Sequence, residues 1–282
     1  MTLVIMAAGM GSRFGGLKQI EPINDNNEFI IDYSIFDAIR YSFDKVVFII
    51  KEENYDIFKN TIGKRVEEYI KVEYVFQDNS ILPKEVREKR EKPLGTAHAI
   101  LCAKDKVHDN FAVINADDFY GKDAFYKISE FLRENKDENL FSVVAYNVEN
   151  TITKNGSVKR GICHVKNGCL TEIIECSISE SNDKYLATPL DGSTPFEVEG
   201  YEIVSMNFFG FTPKLFDYLN TELDVFLKTK DLYKDEFLLP DVVCKKIKSN
   251  DVKVQILTTT SVWHGMTYKE ELIFSSFFDI IT

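Results

Sequence analysis

The sequence predicts an α/β protein with a mostly parallel central sheet flanked by helices, and two observations support this class. Short β-branched and apolar runs alternate with segments of helical periodicity through the first half of the chain, as is typical of βαβ units. The apolar content of 44% and the charged content of 28% are those of a globular protein, and 282 residues are enough to bury a large core.

The elements of the first half follow from periodicity and from turn residues. Ile31, Ile35 and Ile39 share one face of a predicted helix, and an uninterrupted apolar run follows Lys45. In chain order we predict a strand at 2–6, a helix at 29–41, a strand at 45–50, a charged helix at 54–70 broken at Gly63, a strand at 71–77, a helix ending near 103, a strand at 111–115, a helix at 122–135 and a strand at 141–147.

Beyond residue 150 the chain changes to shorter strands and more turns. We predict strands at 161–166 and 169–176 joined by a turn at Asn167-Gly168, a polar loop through Pro195, a strand at 204–211, helices at 213–227 and 240–247, a strand at 252–258 and a helix at 268–278. The predicted organisation is an α/β half over residues 1–150 and a smaller β-rich lobe with C-terminal helices over residues 151–282, continuous with the same domain.

Charge and cysteine content restrict the function classes. The formal net charge of -11 disfavours partnership with nucleic acid or an anionic membrane, because the long-range field repels polyanions. The N-terminal residues do not resemble a signal peptide, and no apolar run approaches the roughly 18 residues that span a bilayer. Five scattered cysteines without a Cys-x-x-Cys pair indicate reduced thiols rather than a disulfide framework. We therefore expect a cytoplasmic protein.

A glycine-rich stretch over residues 6–23 is the main chemical signal. Its glycines allow backbone N–H groups to approach an anion, and Arg13 and Lys18 add positive charge at the same place. The stretch lacks the ending of a P-loop, and Phe14 stands where the dinucleotide fingerprint has its third glycine. From spacing alone the stretch is either a phosphate-binding loop or a structural turn.

Ala7-Ala8-Gly9-x-Gly11-Ser12-Arg13 followed by Lys18 resembles the signature loop of the nucleotidyltransferases that make nucleotide sugars and related activated head groups. The resemblance implies a Rossmann-like fold of the nucleotide-diphospho-sugar transferase type. It also implies catalytic roles for Arg13 and Lys18 at the α-phosphate and the departing pyrophosphate, and contacts to the nucleoside triphosphate from the remaining loop residues, namely Ala7, Ala8, Gly9, Gly11 and Ser12.

Leu94-Gly95-Thr96-Ala97-His98-Ala99 resembles the base-reading segment of the uridyltransferase branch of this family. The resemblance implies nucleotide contacts from Gly95 and Thr96, and Gln77 matches the glutamine that precedes this segment. In this chain an insertion at residues 79–93 separates the two. Its mixed-sign charges are typical of a solvated helix or mobile flap, and the alternative is a lid over the nucleotide.

An acidic pair, Asp117-Asp118, follows a predicted strand at its C-terminal end, where open α/β sheets bind ligands. Mg²⁺ prefers one or two carboxylates together with substrate oxygens and water. Asn115-Ala116-Asp117 resembles the family's metal-bearing step, which implies that Asp117 is catalytic and binds Mg²⁺. Alternation along an extended chain directs Asp118 the other way, into a structural hydrogen bond or a second contact.

In the second lobe, three segments resemble the family's acceptor contacts. They imply acceptor-binding roles for Gly161, which follows Arg160, for Glu175 and for Asn207. At two places the sequence departs from the pattern of the family. Cys176 occupies the place of a lysine that many relatives use for the acceptor phosphate, which leaves Arg160 or Lys184 as replacements. Trp263-His264-Gly265 lacks the second metal carboxylate of the family, and the open candidates are His264, Glu236 and Asp241.

These features predict a nucleotidyltransferase that transfers a nucleoside monophosphate from a nucleoside triphosphate, with UTP, dTTP or CTP favoured, to a phosphorylated small molecule. The predicted acceptor is a sugar 1-phosphate, and pyrophosphate is released. Two alternatives stay open at this point. One is a cytidylyltransferase acting on a non-sugar phosphate such as phosphocholine, and the other is a non-catalytic regulator that binds a nucleotide sugar.

Overall fold

The computed structural model describes residues 1–9, 22–24, 27–152, 156–181 and 184–265. Its strands, in chain order, are β1 (Thr2–Met6), β2 (Lys45–Ile50), β3 (Lys71–Phe76), β4 (Phe111–Asn115), β5 (Asp118–Phe119), β6 (Leu140–Asn147), β7 (Val158–Lys166), β8 (Cys169–Ser181), β9 (Lys184–Pro189), β10 (Phe196–Val198), β11 (Ile203–Phe211), β12 (Lys253–Thr259) and β13 (His264–Gly265). Its α-helices are α1 (Ile30–Arg40), α2 (Tyr55–Phe58), α3 (Lys64–Val66), α4 (Lys84–Arg87), α5 (Thr96–Cys102), α6 (Lys122–Glu134), α7 (Lys214–Thr229) and α8 (Leu239–Lys248).

The central sheet has the order β3-β2-β1-β4-β11-β6-β12. Strands β1 to β4 pair in parallel, as βαβ units require, and β12 is parallel to β6. The α/β class is therefore confirmed, and the central sheet is mostly parallel, because six of these seven strands run in the same direction and β11 is antiparallel to its neighbours, β4 and β6. A parallel return needs a crossover connection, and the described chain between β6 and β11 contains strands but no α-helix.

Strands β7 to β10 form the predicted β-rich region, paired antiparallel in chain order. They join the central sheet through pairs of β7 with β11 and of β8 with β12. Because β11 and β12 lie inside the central sheet, the two predicted halves share one sheet, and the division at residue 150 stays a prediction. The polar loop predicted through Pro195 contains β9, a strand in which only alternate residues are buried. The helix predicted at 268–278 lies outside the described residues.

Most other predicted elements match the described ones to within a few residues. The break predicted at Gly63 is a π-helical turn, Lys59–Gly63, between α2 and α3. A glycine is required there because an added Cβ would lie 2.1 Å from the Tyr74 hydroxyl. The turn at Asn167-Gly168 has positive φ at both residues, as a tight hairpin with a type I′ turn requires.

The core consists of two apolar layers, one on each face of the sheet. Leu3 and Ile5 of β1 contact the layer that includes α1 and α6, whereas Val4 contacts the layer that includes α5, α7 and α8. All three side chains are fully buried. Successive strand residues point to opposite faces, so a strand buried on both sides is apolar throughout. This packing fixes the end of β1, which Ala7 and Ala8 follow.

Candidate active site

Three chain segments meet at the C-terminal edge of the parallel strands. The Ala7 N–H donates to the carbonyl of Ile49 at the end of β2 (2.8 Å), and the Ala116 N–H donates to the carbonyl of Met6 at the end of β1 (3.1 Å). Ala7 and Ala8 are buried and Gly9 is exposed. The other predicted triphosphate contacts, Gly11, Ser12, Arg13 and Lys18, lie outside the described residues.

A cavity of about 490 Å³ opens beside this edge, a size within the range of small-molecule sites. Gln77, at the end of β3, forms part of its wall, and its side-chain amide donates a 3.0 Å hydrogen bond to the Gly95 carbonyl. The structure therefore brings together the two residues that the insertion separates in sequence. The complete lining is Ala8, Lys51, Glu52, Glu53, Gln77, Asp78, Asn79, Glu91 and Pro93.

Gly95 is held by the loop that precedes α8. Its φ of +123° lies in a region that favours glycine, and an added Cβ would lie 2.4 Å from the Phe237 carbonyl oxygen. On either side of Gly95, the Phe237 N–H donates to the Leu94 carbonyl (2.6 Å) and the Ala97 N–H donates to the Phe237 carbonyl (3.0 Å). The Thr96 hydroxyl accepts from the Leu239 N–H at 3.0 Å, so this predicted nucleotide contact also holds the start of α8.

His98 is a buried member of the same segment to which the sequence assigned no role. Its Nε2 lies 3.9 Å from Cys102 Sγ, and its Nδ1 has no hydrogen-bond partner among the described residues. Burial lowers the pKa of His98, against an opposing effect of Asp78, so the neutral imidazole is favoured. The sequence signal for His98 is its position within the motif from Leu94 to Ala99.

The insertion at residues 79–93 is neither fully solvated nor a simple flap. Leu82 and Val86 are buried in one of the apolar layers, and Arg90 is only 6% exposed. The other charged residues between positions 84 and 92 face solvent, as the sequence predicts. Three residues at the ends of the insertion, Asn79, Glu91 and Pro93, line the 490 Å³ cavity. The insertion thus forms one wall of it.

The acidic pair divides between two environments. Asp118 is buried, and its Oδ2 accepts from the Asn115 side-chain amide (2.8 Å) and lies 3.2 Å from the Tyr120 hydroxyl. Asp117 is half-buried at the end of β4, between the chain that follows β1 and the strand pair β5–β13. Of the two roles left open for Asp118, the described contacts are structural hydrogen bonds, and Asp117 is the carboxylate presented at the edge.

The three predicted acceptor contacts lie on adjacent strands. Gly161 of β7 pairs with Glu175 of β8 on one side and with Ser205 of β11 on the other. Asn207 follows in a bulge of β11 with φ of +60°, and its N–H donates to Ser205 Oγ at 3.2 Å. A Cβ at Gly161 would lie 3.0 Å from Glu175 Oε1, so glycine leaves room for that carboxylate across the strand.

A buried tyrosine links this group to Asp117. The Tyr120 hydroxyl accepts from the Asn115 N–H (3.0 Å) and lies 3.1 Å from the Met206 carbonyl oxygen, next to Asn207. Because Tyr120 is fully buried, it fixes the end of β4 against the bulge of β11. The candidate acceptor residues and the candidate metal ligand are therefore parts of one rigid region.

The two cations considered for the acceptor phosphate have other partners. Arg160 is buried, its guanidinium carbon lies 4.3 Å from the centre of the Trp263 ring, and its nitrogens donate to the carbonyls of Lys159 and Thr151. Lys184 pairs with Glu197 at 3.0 Å, at the far end of the β8–β9 hairpin from Cys176. Both side chains thus have structural partners away from Glu175.

The segment expected to carry a second metal carboxylate lies beside the first. In the short pair of β13 with β5, His264 is opposite Phe119 and Gly265 is opposite Asp118. A Cβ at Gly265 would lie 2.3 Å from the Trp263 ring, so a side chain would not fit there without a shift. Among the described residues, no three His, Cys, Asp or Glu side chains are placed to hold a metal ion. The described residues thus present Asp117 at this edge without a cluster of three such ligands around it.

Glu175 and Asp241 place two negative charges on the acceptor side. Burial raises the pKa of Glu175, and the charge of Asp241 raises it further against the opposing effect of Lys159. Burial also raises the pKa of Asp241, against the effect of Lys230. Each carboxylate therefore favours its protonated form more than it would in water.

We expect Asp241→Asn to lower the pKa of Glu175 toward its ordinary value, because the substitution removes one of the two causes of the shift. An acid with a raised pKa in the folded state stabilises the fold at low pH, and that stability is lost as pH rises through the folded-state pKa. The midpoint temperature of thermal unfolding, measured between about pH 4 and pH 7, should therefore fall less with rising pH in the variant than in the original chain. The control is Asp224→Asn, which replaces an exposed aspartate of α7. An equal change in pH dependence in the control would contradict the effect of Asp241 on the pKa of Glu175.

In a comparison with known proteins, residues 2–265 match the family described as Nucleotidyl transferase, which is nearly the whole chain. The chain is 29% identical over 120 residues to the bifunctional protein GlmU of Methanococcus maripaludis, strains C5 and C7. The matched stretch covers 42% of this chain and 25% of those relatives, so the chain accounts for about a quarter of their length.

Two solved structures share the fold. The inositol-1-phosphate CTP transferase from T. maritima superposes with a TM-score of 0.64 at 13% identity, covering 99% of this chain and 94% of that chain. A putative glucose-1-phosphate thymidylyltransferase from Bacillus anthracis, solved with sucrose, superposes with a TM-score of 0.63 at 17% identity, covering 94% and 89%. Within the described residues, no helix has the length and apolar character to cross a membrane.

Proposed function

Because the chain belongs to the Nucleotidyl transferase family, we propose that it transfers a nucleoside monophosphate to a phosphorylated small molecule and releases pyrophosphate. The observation that carries this proposal is the convergence of three segments at one sheet edge. Ala7–Gly9 follow β1, Asp117 follows β4, and the Gln77–Gly95 pair stands at the end of β3. We take these segments as the triphosphate, metal and base contacts, in that order.

The nucleotide half of the proposed site has two parts. The base lies in the 490 Å³ cavity that Gln77 lines, and its proposed contacts are Gln77 together with Gly95 and Thr96, which follow the cavity residue Pro93 in the chain. Because the segment from Leu94 to Ala99 resembles the base-reading segment of the uridyltransferase branch, UTP, dTTP or CTP are the proposed donors. The triphosphate lies along the loop after β1, and its proposed contacts are Ala7, Ala8, Gly9, Gly11, Ser12, Arg13 and Lys18.

The proposed reaction needs charge stabilisation more than covalent chemistry. An oxygen of the acceptor phosphate attacks the α-phosphorus, the bond from that phosphorus to the β-bridging oxygen breaks, and pyrophosphate leaves with the electron pair. Arg13 and Lys18 stabilise the negative charge that develops on the α-phosphate and on the leaving group. The acceptor must be held in line behind the α-phosphorus, which is the proposed task of the second lobe.

Asp117 is the residue proposed to hold Mg²⁺. A single carboxylate is within what this ion accepts, because Mg²⁺ is commonly held by one or two carboxylates together with substrate phosphates and water. When bound, Mg²⁺ supplies further neutralisation of the phosphate charge. Asp118 supports the arrangement indirectly, since its hydrogen bonds with Asn115 and Tyr120 fix the backbone on either side of Asp117.

A sugar 1-phosphate is the proposed acceptor. Glu175 places a carboxylate beside Gly161, and Asn207 follows Ser205, the residue paired with Gly161 on the other side. A carboxylate and a side-chain amide are the groups that recognise sugar hydroxyls by hydrogen bonds. A second candidate is a phosphorylated amino alcohol such as phosphocholine, with CTP as donor. It is favoured by the raised pKa values of Glu175 and Asp241, because a cationic head group would relieve the repulsion between these carboxylates.

A screen of the four common ribonucleoside triphosphates and dTTP against sugar 1-phosphates, phosphocholine and other small phosphates tests the proposal, with release of pyrophosphate as the readout. We expect Mg²⁺-dependent turnover with a pyrimidine nucleotide and one acceptor class. Turnover with phosphocholine would select the second candidate. Tight binding of a nucleotide sugar without turnover of any pair would contradict both and indicate a regulator.

A further inference from the structure

Arg90 is the buried cation of the insertion at residues 79–93. Its guanidinium donates to three backbone carbonyls, through Nε to Lys92 (3.0 Å), through one terminal nitrogen to Pro93 (3.0 Å) and through the other to Leu232 (2.9 Å). The first two carbonyls belong to the end of the insertion, and the third belongs to the loop between α7 and α8. Arg90 therefore joins two segments that are 142 residues apart.

The joined segments are those that build the base side of the site. Glu91 and Pro93, on either side of Lys92, line the 490 Å³ cavity. Pro93 is followed by Leu94 and Gly95, which the backbone of Phe237 holds by the contacts described above. The Gly95 carbonyl in turn accepts from Gln77. Arg90 thus stands behind the cavity wall, and its own side chain does not line the cavity.

The chemistry of these contacts requires arginine. Three carbonyls in different directions match the planar fork of a guanidinium, whereas the ammonium of lysine donates from a single atom. The insertion is otherwise attached to the core through Leu82 and Val86, near its start. Without Arg90, the stretch from Glu91 to Pro93 would lose the hydrogen bonds that hold it, while the start of the insertion kept its apolar contacts.

We propose that Arg90 is a positioning residue that fixes the cavity wall at Glu91 and Pro93, and that the insertion thereby determines which base the site accepts. This inference rests on the proposed function, because it takes the 490 Å³ cavity as the base site. It predicts an effect on the nucleoside part of the donor and none on its phosphates or on the acceptor.

The test compares Arg90→Met, Arg90→Lys and the control Lys89→Met in the full chain. Lys89 is the neighbouring residue, is exposed and loses the same charge. We expect Arg90→Met to raise the KM for the cognate triphosphate by about tenfold or more, because three backbone carbonyls lose their side-chain donor and the cavity wall loses its anchor. The ratio of kcat/KM between the two best triphosphates should fall. The KM of the acceptor and inhibition by inorganic pyrophosphate should stay within about twofold of the original values.

Arg90→Lys should give an intermediate KM, and Lys89→Met should leave all four quantities unchanged. An unchanged KM and base preference in Arg90→Met would overturn the proposal. A parallel loss of triphosphate, acceptor and pyrophosphate binding would also overturn it, since that result indicates a structural role alone. If Arg90→Met does not fold, Arg90→Lys decides by the same criteria.

The failure of the proposed function would look different. If the unmodified chain turned over no pair in the screen, that function would be wrong, whereas Arg90 would still be testable by calorimetric binding of nucleoside triphosphates and of pyrophosphate alone. A selective loss of nucleoside triphosphate affinity in Arg90→Met, with pyrophosphate affinity kept, would then support the positioning role. Equal affinities in all variants would overturn it.

Discussion

Substitution of Asp117 by asparagine is expected to reduce Mg²⁺-dependent release of pyrophosphate by about a thousandfold or more, which corresponds to ~4 kcal/mol of transition-state stabilisation. Asp117 is the carboxylate presented at the sheet edge, because Asp118 is buried in hydrogen bonds with Asn115 and Tyr120. Asparagine keeps the size and a neutral oxygen but removes the charge that a divalent cation requires. The measurement is steady-state turnover of the cognate pair over a series of Mg²⁺ concentrations.

Two further variants make the result specific. Asp105→Asn removes an exposed carboxylate away from the edge and should leave turnover unchanged. Asp118→Asn should instead lower stability by about 1–3 kcal/mol, because it disturbs a buried hydrogen-bond network. Full activity in Asp117→Asn, with an unchanged Mg²⁺ requirement, would show that another group holds the metal.

The parts of the fold that the sequence predicts are those determined locally. Strand β1 is recognisable because it is buried on both faces and is therefore apolar throughout, and α1 is recognisable because its apolar residues recur at helical spacing. The antiparallel placement of β11 is not visible in this way, since it depends on β4 and β6, which are more than 50 positions away. Local periodicity contains no information about which strands become neighbours.

The same distinction applies to the candidate site, where short motifs predict some contacts and distant partners determine the others. The Gln77–Gly95 contact follows from the resemblance of short motifs, and the structure places the two residues within hydrogen-bonding distance. Arg160 shows the opposite case, because an arginine next to an acceptor contact suggests phosphate binding, whereas its ring partner, Trp263, lies about a hundred positions further along the chain. Arg90 belongs to a run of mixed charges, which predicts an exposed side chain. It is buried instead, and it donates to the carbonyl of Leu232. For such cations the distant partner determines the role.

Replacement of Gly95 by alanine is expected to have the second largest effect, and it acts on stability and on nucleotide binding together. The φ of +123° is strained for any residue with a Cβ, which costs about 1–3 kcal/mol. The new Cβ would also lie within 2.4–2.8 Å of three Phe237 backbone atoms, and overpacking of this kind costs about as much again. Since Phe237 is held to Leu94 and Ala97, the shift must move the base-binding segment.

The expected readouts are a fall in the free energy of unfolding of about 2–6 kcal/mol and a large increase in the KM for the triphosphate. Gly192→Ala is the matched control, because Gly192 also has positive φ, +85°, but no described atom lies within 4 Å of its added Cβ. The control should show the backbone strain alone and leave triphosphate binding unchanged. Equal destabilisation of the two variants would mean that the contact with Phe237 adds nothing to the cost of the substitution. The inference that the loop before α8 holds the base-binding segment closely would then be wrong.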